Sequence, residues 1–235
     1  MTHISVHSIY TATEGEGVHI GTPQVFVRFQ GCAIGCVNCD SKDTWDFSGN
    51  MVSVEECILK VLELSGAENR KIHRVSITGG DPLHPKHEKG ALEIAGKLKK
   101  LGFFVNIEAA GTRVVDSIFD NVHFISFDVK TPSTGVETNY NLIKRLVTHY
   151  ENKAQIKSVI SDKKDFEYIY DTFTKLKKDL DFSTPWVLTP CYEPHEEFPK
   201  DRFINIIELN QSFGSPFRVI GQQHKWIHGP AKKNV

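Results

Sequence analysis

Short runs of β-branched and aromatic residues recur along this chain, and amphipathic helical patterns fill most of the intervals between them. From the second run on, the runs begin roughly 19 to 32 residues apart, the spacing of repeated strand–helix units. Such units place their strands in one parallel sheet with right-handed crossovers. We therefore predict an α/β fold built on a parallel sheet or barrel. The predicted strands are 24–30, 75–78, 103–108, 122–130, 154–160, 186–189 and 217–220.

The helices between these strands have sequence signals of their own. Ser53 and Glu56 are spaced as a capping box, which predicts a helix start at this point. Leu92, Ala95 and Leu98 predict a second helix, which Gly102 would end. Two further helices are predicted at 142–150 and 165–178.

Composition places the chain among ordinary globular proteins. It has 235 residues, 40% of them hydrophobic, and no Pro-, Gly- or Ser-rich linker divides it, so we predict one domain over 1–235. The net charge is −1, so the chain has no excess of basic residues that would indicate nucleic-acid binding. The sequence contains neither an apolar run of membrane-spanning length nor a signal peptide, so we predict a cytoplasmic protein without a membrane partner. Its five cysteines are then expected to be reduced.

Several strands alternate between an apolar face and a polar one. The polar residues Arg28, Thr78, Glu108 and Asp128 fall near the C-terminal ends of four strands. A strand covered by helices on both faces would be apolar throughout. The pattern therefore predicts an open barrel mouth that binds a polar ligand, because the active sites of βα-barrels lie at the C-terminal strand ends. The alternative is that these polar ends simply lead into loops.

Three cysteines lie within eight residues, directly after the first predicted strand. Cys32, Cys36 and Cys39 form a CxxxCxxC pattern. Thiolates are soft ligands that suit zinc or an iron–sulfur cluster. A structural zinc site needs four protein ligands, and His19 or His224 could supply the fourth. A [4Fe–4S] cluster held by only three cysteines would instead leave one iron open to another ligand.

The cysteine pattern resembles that of the radical S-adenosylmethionine (SAM) superfamily. Thr78-Gly-Gly-Asp-Pro82, directly after the second predicted strand, is similar to the superfamily's GGEP motif, with Asp81 in place of Glu. The resemblance implies a partial (βα)6-type barrel with a cluster loop at about 31–45. It also implies a [4Fe–4S] cluster on the three cysteines, with SAM bound to the fourth iron.

Further segments resemble the 7-carboxy-7-deazaguanine synthase family. They are Thr13-Glu-Gly-Glu-Gly17, Gly21-Thr-Pro23, Val25–Gly31, Cys39-Asp-Ser-Lys-Asp-Thr-Trp45, Ile107-Glu-Ala-Ala-Gly111 and Gln223-His-Lys225. That family converts 6-carboxy-5,6,7,8-tetrahydropterin to 7-carboxy-7-deazaguanine with loss of ammonia, on the path to deazapurine bases of tRNA. The resemblance implies a one-electron donor of flavodoxin or ferredoxin type, a homodimer, and Mg²⁺ as an additional cofactor.

The resemblance also implies roles for individual residues. Arg28 would clamp the carboxylate of the pterin substrate, and Ser41, where the family has Thr, would bind Mg²⁺. Glu14 stands where the family usually has Gln. The residues expected at the substrate are Thr13, Glu14, Gly15, Glu16, Arg28, Thr78, Glu108 and His224. Those expected at SAM are Asn38, Cys39, Asp40, Gly80, Asp81, Asp128, Val129, Lys130, Thr189, Pro190, Cys191 and Tyr192.

Two alternatives stay open from the sequence. One is another small radical SAM enzyme, such as a glycyl-radical activase, which would share the cysteine pattern. The other is a zinc-binding interaction module that uses the three cysteines and one histidine.

Overall fold

A computed structural model describes all residues, 1 to 235, and contains nine strands and seven helices. The strands are β1 (His3–Thr13), β2 (Pro23–Phe29), β3 (Asn50–Ser53), β4 (Arg74–Gly79), β5 (Phe104–Ala109), β6 (Phe124–Asp128), β7 (Ala154–Ile160), β8 (Trp186–Pro190) and β9 (Arg218–Val219). The helices are α1 (Val54–Leu64), α2 (Pro85–Lys100), α3 (Asp116–Phe119), α4 (Tyr140–Tyr150), α5 (Lys163–Asp179), α6 (Lys200–Ser212) and α7 (Gln223–His228). None of these helices is both long and apolar enough to cross a membrane.

All nine strands form one sheet in the order β3-β1-β2-β4-β5-β6-β7-β8-β9. Neighbours from β2 through β9 are parallel, whereas β1 pairs antiparallel with both β2 and β3. The two edge strands, β3 and β9, do not pair with each other, so the sheet stays open. This single-domain architecture confirms the predicted partial barrel, with β2 and β4–β8 as its six full parallel strands.

Each of the seven predicted strands is present, but the sequence analysis missed β1 and β3. The pairing of β1 with β2 shifts register between Val6 and Ser8. Such an irregularity interrupts the alternation of apolar and polar residues by which strands are recognised. The four-residue β3 is too short to show a period.

The predicted helices are also confirmed, and α1 begins as its capping box requires. The Glu56 N–H donates to Ser53 Oγ at 3.1 Å, and the Ser53 N–H donates to Glu56 Oε2 at 2.7 Å. Helix α2 begins at Pro85, well before its apolar pattern, because proline suits the first helical position and His84 caps the Lys86 N–H. Helices α3, α6 and α7 were not predicted.

The two faces of the sheet differ in chemistry. Val25, Val27 and Phe29 are fully buried on the outer face, where they belong to one apolar core shared with the helices. The inner face lines the lumen of the open barrel, and register places its polar residues side by side. Arg28 on β2 lies opposite Thr78 on β4, and Asp128 on β6 lies opposite Lys157 on β7. The fold thus brings charged groups from distant parts of the chain into one cavity.

Candidate active site

The cluster loop follows β2 and carries the three clustered cysteines, all half-buried. Its ends are joined, because the N–H groups of Gly31 and Cys32 donate to the carbonyls of Thr44 and Trp45 at 2.7 and 3.0 Å. Cys39 Sγ accepts hydrogen bonds from the Ser41 N–H and from Trp45 Nε1, both at 3.4 Å. The thiolate is the form of cysteine that binds iron.

The three thiols of this loop are electrostatic neighbours. Burial raises the pKa of Cys32, and repulsion from Asp81 and then from the other two thiols raises it further. Burial also raises the pKa of Cys36, and Lys130 opposes that change. No three or more His, Cys, Asp or Glu side chains converge where one metal ion would sit. Three cysteines on one loop match a [4Fe–4S] cluster that leaves one iron open to another ligand.

The glycine turn after β4 packs directly on the start of the cluster loop. A Cβ atom on Gly80 would lie 2.6 Å from the carbonyl oxygen of Gly31 and 2.8 Å from the Cβ of Cys32. Only glycine fits at this point. The Asp81 carboxylate is buried and accepts from the Leu83 N–H at 3.0 Å, so one of its oxygens shapes the turn. The predicted contact of Asp81 with SAM stays a prediction.

The other segments predicted at SAM come together around the same mouth. Lys225 Nζ donates to the Tyr192 carbonyl at 2.8 Å and lies 3.4 Å from Asp40 Oδ2, so it joins the end of β8 to the cluster loop. The Thr189 hydroxyl is buried on β8 and has no hydrogen-bond partner. A buried, unpartnered hydroxyl at this point is what a site for a polar ligand would leave. Asn38 is half-buried on the cluster loop, and Val129 is buried after β6.

Arg28 projects from β2 into the lumen beside the mouth. Its guanidinium donates to the Tyr10 hydroxyl at 3.0 Å and to Ser41 Oγ at 3.4 Å. Both partners are neutral hydroxyls, and no carboxylate pairs with this arginine within 4 Å. A half-buried guanidinium without an acidic partner is suited to bind a ligand carboxylate through two hydrogen bonds.

A loop over residues 14–22 crosses the lumen from the end of β1 to β7 and α7. The side chain of Gln155 accepts from the Val18 N–H at 2.8 Å, and the Gln223 N–H donates to the Gly15 carbonyl at 2.9 Å. Gly15 packs so closely on the His224 ring that any side chain here would clash. Burial lowers the pKa of His224, so its imidazole is neutral near pH 7. Thr13, at the end of β1, is exposed outside the lumen.

Glu14, the first residue of this loop, is buried and accepts a hydrogen bond at one end of a series of polar side chains. Its Oε2 accepts from Gln24 Nε2 at 2.7 Å, and Gln24 Oε1 in turn accepts from Arg74 Nε at 2.9 Å. Burial, reinforced by repulsion from Glu108, raises the pKa of Glu14 to about 7. Glu14 can therefore be protonated at neutral pH. A protonated carboxyl donates a hydrogen bond, as the side-chain amide of a glutamine does.

Lys157 on β7 sits among the acidic residues of the lumen. Its Nζ lies 2.7 Å from Glu16 Oε2 and 3.3 Å from Glu108 Oε2. Burial alone would raise the pKa of Glu16, but Lys157, His224 and a hydrogen bond from Gln222 hold it well below the usual value. Glu16 is thus an ionised acceptor at neutral pH, and Glu108 lies beside it at the same lysine.

Comparisons with known proteins agree with this geometry. The model of the radical SAM superfamily matches residues 26–188. The 7-carboxy-7-deazaguanine synthase of Pyrobaculum aerophilum is 34% identical over 71% of this chain and 71% of its own length. That of Methanospirillum hungatei is also 34% identical, over 70% of this chain and 64% of the relative.

The chain belongs to the 7-carboxy-7-deazaguanine synthase family of radical SAM enzymes.

Among solved structures, that of QueE from Escherichia coli superimposes with a TM-score of 0.70. The match covers 94% of this chain and 95% of that one at 23% identity, so the likeness is one of fold. Membership makes the chain a radical SAM lyase of the 7-carboxy-7-deazaguanine synthase type, with a [4Fe–4S] cluster and SAM as cofactors. It decides against both the zinc-binding module and the glycyl-radical activase.

Several residues in the lumen of this 7-carboxy-7-deazaguanine synthase were not predicted from the sequence. The missed side chains that contact the predicted site are Tyr10, Gln24, Arg74, Asn106, Gln155, Lys157, Gln222 and Lys225. One signal was present: Gln155 and Lys157 alternate with apolar residues in the predicted strand 154–160. A lysine at such a position indicates a charged lumen.

Proposed function

We propose that this chain converts 6-carboxy-5,6,7,8-tetrahydropterin to 7-carboxy-7-deazaguanine with release of ammonia. The observation that carries the proposal is the arrangement of charge in the lumen. The unpaired guanidinium of Arg28 stands at the mouth, and the carboxylates of Glu16 and Glu108 lie farther across the cavity. This arrangement complements a flat molecule with a carboxylate at one end and N–H donors at the other.

The protein's own residues would bind and orient this pterin. Arg28 pairs with its carboxylate, and Thr78, opposite Arg28 on β4, offers a hydroxyl at the same level. Glu16 and Glu108 accept from the amine and ring N–H groups, since carboxylates accept and do not donate. Glu14 supports the same edge of the pterin with or without its proton. Neutral His224 flanks the 14–22 loop, which carries Glu14 and Glu16. The 14–22 loop covers one side of the cavity and limits the access of water.

The cofactors fit the residues at the mouth. Cys32, Cys36 and Cys39 would hold the cluster, and SAM would bind beside the Gly80 turn, which packs on the start of the cluster loop. The unpartnered Thr189 hydroxyl, with Asp128 and Lys130 across the mouth, would bind the polar parts of SAM. When bound, the cluster supplies one-electron reductive cleavage of SAM, which is the source of the radical chemistry.

A magnesium ion at Ser41 is part of the proposal. Ser41 Oγ lies 3.4 Å from the guanidinium of Arg28, which places a hard oxygen ligand where the substrate carboxylate would bind. Serine lacks the methyl group that stiffens threonine, so its hydroxyl is held less firmly. We expect Mg²⁺ to stimulate the wild-type enzyme and Ser41→Thr to bind it more tightly. Retention of rate and Mg²⁺ dependence by Ser41→Ala would rule out Ser41 as a ligand.

The partners and compartment are proposed on simpler grounds. The cluster needs an electron, so a flavodoxin or ferredoxin type of donor would dock near the cluster loop, where Val37 is 67% exposed. The resemblance supports a homodimer. Five free cysteines, three of them serving as ligands, favour the reducing cytoplasm.

An anaerobic assay tests the proposed reaction. Reconstituted protein is supplied with the carboxytetrahydropterin, SAM, Mg²⁺ and a chemical reductant, and both 7-carboxy-7-deazaguanine and ammonia are measured. We expect the two products in equal amounts, and none from Cys36→Ala. SAM cleavage that proceeds without either product would overturn the substrate assignment while leaving the radical SAM chemistry intact.

A further inference from the structure

Three carboxylates from three different parts of the chain meet at one lysine. Lys157, only 10% exposed, lies 2.7 Å from Glu16 of the 14–22 loop and 3.3 Å from Glu108 of β5. Its third neighbour is Asp128 at the end of β6, at 3.7 Å. Two of its three N–H donors form the hydrogen bonds to Glu16 and Glu108, and Asp128 lies within ion-pair distance.

The second oxygen of each carboxylate has a different partner. Glu16 Oε1 accepts from Gln222 Nε2 at 2.6 Å, and Glu108 Oε1 accepts from Asn106 Nδ2 at 2.8 Å. Asp128 Oδ2 accepts from Lys130 Nζ at 2.9 Å. Each carboxylate is therefore held at two points, one of which is always Lys157. Their remaining lone pairs stay available to a ligand in the lumen.

Without this lysine, the carboxylates would repel one another in a poorly hydrated cavity. Burial would lower the pKa of Lys157, but Glu16, Glu108 and Asp128 together raise it well above its usual value. The lysine therefore stays charged throughout the physiological range. Removing one partner from a buried ionic group leaves uncompensated charge, which drives a neighbour to take up a proton.

We infer that Lys157 is a positioning residue for the pterin, which holds Glu16 and Glu108 at a fixed separation so that both accept the substrate's N–H donors. This inference rests on the proposed function, which assigns the two glutamates to the pterin. Lys157 acts through them, because its hydrogen bonds go to both glutamates and its charge also faces Asp128. Its counterpart in the cavity, Arg28, binds the opposite end of the substrate directly.

A binding experiment separates this role from catalysis. The probe is 6-carboxypterin, the oxidised and fluorescent analogue of the substrate, titrated into reconstituted protein without SAM. Lys157→Gln keeps hydrogen-bond donors but removes the charge, and Lys157→Arg restores it. We expect Lys157→Gln to raise the Kd at least tenfold at pH 7 and Lys157→Arg to recover part of the loss. The control Lys60→Gln, on the exposed face of α1, should bind like the wild type.

The pH dependence of binding distinguishes positioning from a structural role. The charged groups facing Lys157 are Glu14 and Glu16 of the loop, Glu108 of β5, Asp128 and Lys130 of the β6 end, and His224 of α7. In Lys157→Gln the carboxylates should hold protons to higher pH, so affinity should rise more steeply between pH 6 and 9 than in the wild type. Glu14 and His224 also contribute to this change, because the charge of Lys157 lowers the pKa of both groups in the wild type. A purely structural role would lower the melting temperature without this change in slope.

The outcomes separate the two proposals. Wild-type protein that fails to bind 6-carboxypterin would overturn the substrate assignment together with the inference. If the wild type binds and Lys157→Gln has the same Kd and pH slope, only the inference about Lys157 is wrong. Should Lys157→Gln not fold, Lys157→Gln/Asp128→Asn removes one charge of each sign and keeps both glutamates. Unchanged pterin binding in that variant would equally overturn the inference.

Discussion

The outer and inner faces of the same strands obey different physical rules. On β2, Val27 and Phe29 are fully buried against the helices, while Arg28 between them points into the lumen. On β7, Ile156 is fully buried on the outer side, and its neighbour Lys157 joins three carboxylates on the other. A shift of one residue along either strand would exchange the two faces.

The difference separates stability from recognition. Burying one aliphatic or aromatic side chain contributes about 1.5–3 kcal/mol to folding. Buried ion pairs contribute little net stability, because desolvation offsets their attraction. We therefore expect changes on the outer face to alter stability at constant binding. Changes in the lumen should alter binding, and should alter stability only where a buried titrating group such as Glu14 is replaced. The predictions below test this separation, from the largest expected effect to the smallest.

The sharpest contrast is between two cysteines. Cys36→Ala removes a cluster ligand at the mouth, so we expect loss of bound iron and of all SAM cleavage. Cys57 is buried on α1, where burial raises the pKa of its thiol to about 12 and keeps it unreactive. Cys57→Ala should retain bound iron and SAM cleavage. Iron content, visible absorbance and SAM cleavage are measured under anaerobic conditions, and full activity in Cys36→Ala would contradict the cluster assignment.

A deletion in the outer core should change stability alone. Leu98 on α2 is fully buried among the helices and the outer sheet face. Leu98→Ala should destabilise the protein by about 2–5 kcal/mol in urea unfolding, because it leaves a cavity. The Kd for 6-carboxypterin at 20 °C should stay within about twofold of the wild-type value, since a change below 0.4 kcal/mol is expected across the sheet. A large loss of affinity would show that the two faces are coupled.

Glu14 provides a pH-dependent test inside the lumen. Its pKa of about 7 in the folded protein exceeds the ordinary 4.5, so the folded state holds the proton more tightly than the unfolded chain. Stability is therefore lost as the pH rises from 4.5 through 7. Glu14→Gln removes this loss, and its stability advantage over the wild type should grow by about 2 kcal/mol between pH 5.5 and 8.5. Urea unfolding at both pH values measures it, and a constant difference would be inconsistent with the raised pKa.

Arg28 should affect recognition without affecting stability. Arg28→Lys keeps the charge but loses the planar pair of donors, so we expect the Kd for 6-carboxypterin to rise about tenfold, or about 1.4 kcal/mol. Iron content and the urea midpoint should not change. Arg145→Lys, an exposed substitution on α4, is the matched control. Equal affinity in Arg28→Lys and the wild type would argue against a bidentate clamp.

The outer face was the more predictable half of the molecule. Alternation of residues such as Val25, Val27 and Phe29 depends only on local sequence, and a capping box such as Ser53–Glu56 spans four residues. Features that depend on pairing partners were missed. The irregular β1 is recognisable only beside β2, its antiparallel partner.

The lumen was predictable only in part, for the same reason. Cys32, Cys36 and Cys39 are close in sequence, so their shared role could be read from spacing. Lys157 has no acidic residue nearby in its own strand, and its partners come from 29 to 141 residues away. Neither its partners nor the raised pKa of Glu14 could be inferred until the strands were in register.

The lumen crossing by residues 14–22 has a consequence for how the chain reaches its native state. Contacts of Glu16 with Lys157 and Gln222 join residues 141 and 206 positions apart. Contacts between successive strand–helix units are far more local, and folding speed falls as the separation between contacting residues grows. During synthesis Glu16 emerges before either partner, and Gln222 follows it by 206 residues. The units of the outer layer can therefore fold in chain order, while the binding cavity is completed in the final step.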